Sequence, residues 1–146
     1  MNAELKERIR RSVAYITGAY FWWMAYMLLT PRPNVRKITF GFDLVLMLLH
    51  FGAFFILAFG VGLSRRNWSA RRWRAALLLW AVASEFLQIL TGRFFEFRDI
   101  FQNALGVFVG LEAARWSCVW ARRLAAKTER AENNDGTLRE LGELEK

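Results

Sequence analysis

The chain has 146 residues, 55% of them hydrophobic and 16% aromatic, with 21 Lys+Arg against 13 Asp+Glu. Its mean hydropathy is +0.14. A globular chain averages about 45–50% apolar residues with glycine included, so this excess exceeds what a one-domain soluble core absorbs. The single cysteine, Cys118, excludes an internal disulfide and a cysteine-based zinc cage.

Taken in chain order, the uncharged runs predict four membrane-spanning helices. The first, residues 12–31, follows the basic cluster Lys6, Arg8, Arg10 and Arg11 and is rich in Trp and Tyr. It matches the roughly 20 residues a helix needs to cross the hydrocarbon, and without a small-residue cleavage site it reads as a retained signal anchor. Pro31 and Pro33 end it. The second run, Leu44 to Ser64, is interrupted only by His50. The third, Ala75 to Gly92, carries Glu85 and Gln88, and the fourth, Ile100 to Ala114, carries Gln102, Asn103 and Glu112. Trp116 and Trp120 extend the fourth toward an interface. Residues 1–121 therefore read as an all-α membrane domain. Residues 122–146, which lack an apolar stripe, read as a polar tail, helical at first and then frayed.

Lys and Arg number four before the first span, three, five and two in the successive loops, and seven from Arg115 onward. The alternation is sixteen against five, which by the positive-inside rule places both termini and the second loop in the cytoplasm. A phosphate-binding footprint gathers on one face and does not skip alternate loops, so a nucleic-acid partner is not expected.

Ionisable groups inside a span cost about 2.5–3.5 kcal/mol each on insertion scales, which makes them candidates for function. In this topology His50 lies about 10 Å into the second helix from Asp43, at 1.5 Å per residue. Glu85 and Gln88, three apart, share a face near the outer end of the third. On the fourth, Asp99, Asn103, Gly106 and Gly110 recur at offsets of four, seven and eleven and form one stripe. His50, Glu85, Gln88, Arg93, Asp99 and Asn103 thus converge on the extracytoplasmic half. Gly106 and Gly110 form a GxxxG pair that lets another helix approach closely. Glu112 has Arg115 three residues on as an ion-pair partner. His50 has no second His or Cys at ligand spacing, so no metal is expected, and no cofactor fingerprint is present.

The stretch Ser84 to Gly110 resembles the core motif of the VanZ-like membrane proteins: Glu85 and Gln88, then Gly92 and Arg93, then Asp99, Asn103, Gly106 and Gly110. His50 and Phe51, followed by small and aromatic residues, resemble that family's second span, although Leu46 and Met47 stand where the family usually has Asp-Lys. The resemblance implies a small four- or five-span protein of the bacterial inner membrane, in a family named for reduced susceptibility to the glycopeptide teicoplanin. The placement of these residues in the extracytoplasmic half adds a membrane lipid or lipid-linked envelope precursor as the expected partner, its phosphate or carboxylate bound by Arg93 through the planar fork. Two other readings stand beside it: a subunit of a larger membrane complex docked through the Trp-rich first span, and a proton-coupled transporter using Glu85.

The topology has a direct check. Single cysteines introduced at Arg36 and Trp68 should differ, the first labelled by an impermeant reagent added outside the cell and the second protected. The opposite pattern would move the polar cluster to the cytoplasmic side.

Overall fold

The computed structural model describes residues 3–30, 43–64, 69–92 and 96–144. Among the described residues the protein is all-helical: α1 (Ala3–Leu29), α2 (Asp43–Ser64), α3 (Ala70–Leu90) and α4 (Phe97–Leu144). Two of these are long and apolar enough to cross a membrane, through Leu44–Ser64 of α2 and Arg71–Leu90 of α3. The uncharged part of α1 is heavy in Tyr and Trp, whose amphipathic rings contribute little hydropathy. In α4, Gln102, Asn103 and Glu112 break the apolar run.

Helix boundaries follow local chemistry. α3 begins five residues earlier than the apolar run, because the Ser69 hydroxyl caps it by accepting from Arg72 N at 3.4 Å. Arg71 and Arg72 fit into this first turn on its exposed side. α3 ends where Thr91 N and Gly92 N donate to the Gln88 and Ile89 carbonyls. Gly92 has φ +77°, a left-handed conformation that glycine adopts without the Cβ clash. α4 runs to Leu144, well past the point where composition suggests fraying. Beyond Arg122 it remains rich in Ala, Leu, Glu and Arg, all strong helix formers.

The chain divides into two compact units, Met1–Ala114 and Arg115–Lys146. In the first, α2 is the helix that the others touch. Its inward stripe, Phe54, Leu57, Ala58 and Val61, joins Met24 of α1, Leu77 and Ala81 of α3 and Val107 of α4 in one buried core. Tyr20 of α1 donates its hydroxyl hydrogen to the Ala53 carbonyl at 3.1 Å, and the Phe21 ring lies 5.0 Å from Trp80. In the second unit, Trp116, Trp120 and Leu124 recur every four residues and are exposed.

The α2–α4 contact is close enough to require glycine. A Cβ at Gly106 would meet the Phe51 carbonyl oxygen and, at 3.0 Å, Phe55 N. One at Gly110 would meet the Phe55 carbonyl oxygen at 2.5 Å and Phe59 N at 3.1 Å. These obstacles are backbone atoms, which cannot rotate away as a side chain does. The GxxxG pair therefore seats α4 on α2 within the chain.

Beside the apolar core the structure buries several polar groups and exposes many large apolar ones. Ser64, Ser84, Glu85, Gln88 and Asn103 are buried, while large apolar side chains are exposed on every helix: Ile16 and Trp22 on α1, Leu48 and Ile56 on α2, Leu79 and Leu90 on α3. On α4, Phe97, Phe101, Leu105 and Phe108 form an exposed stripe opposite the one carrying Asp99, Asn103 and the glycines.

These contacts separate the glycines by consequence. Gly106→Ala and Gly110→Ala should each lower the thermal midpoint in detergent, by an amount corresponding to about 1–3 kcal/mol of overpacking. Gly18→Ala and Gly52→Ala, where an added Cβ meets nothing within 4 Å, should leave the midpoint unchanged or raise it. Differential scanning fluorimetry on the four variants provides the comparison.

Candidate functional site

The start of α2, the end of α3 and the start of α4 lie at one end of the first unit, and each delivers polar side chains there. His50 comes from the second turn of α2, Glu85 and Gln88 from the last turns of α3, and Asp99 and Asn103 from the first turns of α4. Their depths are graded: Asp99 keeps 17% of its side chain exposed, His50 10% and Glu85 none.

The Glu85 carboxylate is the innermost member. Its Oε1 accepts from Asn103 Nδ2 at 3.1 Å and from Gln88 Nε2 at 3.3 Å. His50 Nδ1 lies 3.7 Å from the same oxygen and 3.2 Å from Asn103 Oδ1. The other ring nitrogen, Nε2, lies 3.5 Å from Asp99 Oδ2. The side chains therefore run Asp99, His50, Asn103 and Glu85 from rim to interior, with Gln88 bonded to Glu85 from the next turn of the same helix. Neighbouring hydroxyls are occupied locally, with Ser84 Oγ donating to the Ala81 carbonyl at 2.9 Å and Thr91 Oγ1 to the Gln88 carbonyl at 2.8 Å.

Such an arrangement can hold and relay a proton. An imidazole with a carboxylate at each edge accepts a proton on one nitrogen and releases one from the other, connecting the partly exposed Asp99 to the sequestered Glu85. It can also hold a cation, since one donor atom each from His50, Glu85 and Asp99 lie within 4.8 Å of one another.

The structure brings together five of the six residues singled out by polarity, namely His50, Glu85, Gln88, Asp99 and Asn103. Arg93 lies outside the described residues. Asn103, read from sequence as a member of the polar stripe, bridges His50 to Glu85. Linear spacing shows no metal-ligand set because the three donors sit on three different helices. A second polar contact lies at the opposite end of the bundle. Arg74 Nη2 of α3 donates to Glu112 Oε1 of α4 at 3.0 Å, with the guanidinium 5.4 Å from the centre of the Phe108 ring. The sequence offers Glu112 only the local partner Arg115; the fold adds one 38 residues away.

No family model, curated protein or solved structure matches this chain.

Asn103 is the member whose loss should cost most for its size. Asn103→Leu removes both the donor to Glu85 and the acceptor for His50, and should destabilise the folded chain by about 1–3 kcal/mol or more. Asn103→Asp should be worse at neutral pH, because it replaces that donor with a second carboxylate. Thermal unfolding in detergent at neutral pH ranks the two variants against wild type.

Proposed function

We propose that this chain is a small integral protein of the bacterial inner membrane, VanZ-like, in which four helices span the bilayer and a polar pocket in the extracytoplasmic half binds or processes an envelope amphiphile. The observation that carries the reading is a buried network of His50, Asn103, Glu85 and Gln88, rimmed by Asp99, inside a unit whose helices expose apolar side chains. In water an exposed apolar surface of this extent would drive association; in lipid it is the solvated face. Polar and ionisable groups packed inside such a bundle are expensive and mark ligand or proton sites.

In this reading α1 and α4 span the membrane beside α2 and α3. The Tyr and Trp rings of α1 sit toward the headgroups, and the polar stripe of α4 is shielded by packing against α2. Arg93, following the left-handed Gly92, supplies the guanidinium for a phosphate or carboxylate headgroup. His50 relays a proton between Asp99 and Glu85, with Asn103 holding the ring in register. The amphiphile's tail lies along the apolar exterior.

A second reading, an assembly subunit of a larger membrane complex, is favoured by α1. Tyr15, Trp22 and Tyr26 recur at offsets of seven and eleven and leave a stripe of large rings exposed.

Anionic amphiphile retained by the full chain, extracted from bacterial membranes and quantified by mass spectrometry of bound lipid, distinguishes the two. If the pocket is a ligand site, Arg93→Lys should reduce retention by roughly tenfold at an unchanged thermal midpoint, because an ammonium keeps the charge and loses the bidentate fork. Glu85→Gln, nearly isosteric, should also reduce it if the carboxylate takes part. Wild-type retention in both variants would leave the assembly-subunit reading.

A further inference from the structure

Asn103 decides which nitrogen of His50 carries hydrogen. Its amide faces the Glu85 carboxylate with Nδ2 at 3.1 Å, the only amide atom that can donate to an acceptor. Oδ1 therefore faces the imidazole, 3.2 Å from Nδ1, and Nδ1 must be the protonated nitrogen that donates to it. In the neutral ring Nε2 then turns a lone pair toward Asp99 Oδ2, 3.5 Å away. Two electron-rich atoms facing each other in a nearly closed site call for a cation between them, either a proton or a metal ion.

The separation favours the metal. An N–H···O bond spans about 2.7–3.2 Å, and a charged pair is shorter still. Two donors each about 2.1 Å from a tetrahedral ion stand roughly 3.4 Å apart. His50 Nε2 and Asp99 Oδ2 already have that spacing. One donor atom each from His50, Glu85 and Asp99 lies within 4.8 Å of the others, so the Glu85 carboxylate needs to draw in by up to about 1.4 Å to complete such a shell. Metal-ligating histidines as a rule donate the second ring N–H to a carbonyl or carboxylate, which fixes tautomer and ring orientation. Asn103 Oδ1 does this for His50. Gln88 and Asn103 orient the Glu85 carboxylate in the same way.

We propose that His50 Nε2, Asp99 Oδ2 and a Glu85 carboxylate oxygen form a binding site for a first-row divalent cation, with zinc the best fit to one imidazole and two carboxylates. The mixed donor set disfavours Mg²⁺ and Ca²⁺, which take all-oxygen shells, and the absence of thiolate disfavours Cu(I). Three protein ligands leave a fourth position for water or an anionic group, the arrangement of catalytic rather than structural zinc. The ligands come one each from α2, α3 and α4, so a bound ion ties these helices together at one end of the bundle. The site goes beyond the amphiphile reading and does not depend on it; a bound ion takes the place of the proton that His50 relays in that reading.

The test uses the full chain, purified in detergent without a histidine tag, stripped with EDTA and titrated with Zn²⁺ against a chromophoric chelator with no lipid added. Wild type should bind a single equivalent, and so should Glu112→Gln, a change at the opposite end. His50→Gln and Asp99→Asn should each weaken binding roughly tenfold or more. Zn²⁺ should raise the thermal midpoint of wild type but not of a variant combining His50→Gln with Asp99→Asn. If either variant fails to fold, Co²⁺ added to stripped wild type decides, a visible d–d spectrum of nitrogen and oxygen ligation being the expected result. Less than about a tenth of an equivalent bound by folded wild type, or binding unchanged by both substitutions, would overturn the proposal. Because no amphiphile is present, that failure is separate from failure of lipid retention.

Discussion

Burying the Glu85 carboxylate is the constraint around which the first unit is arranged. A charged group removed from water loses several kcal/mol of solvation, and the fold retains it only by surrounding it with donors and counter-groups. Gln88 answers from the same helix three residues on, Asn103 from α4, and His50 from α2. No single helix could supply these partners, since an i, i+3 pair is all that one surface stripe offers to a fixed point. The carboxylate thus requires three helix ends to meet at one level.

The meeting is enforced by steric fit rather than by attraction between polar groups. Gly106 and Gly110 bring the α4 backbone against that of α2, which sets the height at which Asn103 and Asp99 face His50. A shift of one residue along α4 would turn Asn103 by about 100° and detach it from both neighbours. The glycine pair and the polar pair belong to one stripe, so the close approach and the hydrogen-bond register are specified together. On the far side of the apolar core, the Arg74–Glu112 pair closes the opposite end with a partly exposed contact of a more ordinary surface kind.

The site adjoins the apolar core at the end of the unit where α2, α3 and α4 deliver their polar side chains. Phe54, Leu57 and Ala58 lie beneath it, and the rim is reached through Asp99. Within such surroundings electrostatic interactions are strong and unsatisfied groups costly, so proton or cation occupancy at His50 is coupled to the packing of α2, α3 and α4.

The sequence by itself determined the helical class, from uncharged runs of the right length, and the candidate residues, because a His, a Glu and a Gln inside apolar stretches stand out without any structure. The α4 stripe of Asp99, Asn103, Gly106 and Gly110 was legible for the same reason: a helix repeats every 3.6 residues, so spacing alone puts them on one face. Spacing cannot state which helix that face meets, and so the seating of the glycines on the Phe51 and Phe55 backbone was decided by the tertiary structure. Nor can it pair residues across helices. Asn103 as the bridge between His50 and Glu85, Arg74 as a partner of Glu112, and the gathering of three metal-capable donors from three helices depend on residues 14 to 53 apart in sequence coming together. Local periodicity carries no record of such distances; they arise only when close packing of the helices selects one register from many that the hydrophobic pattern alone would allow.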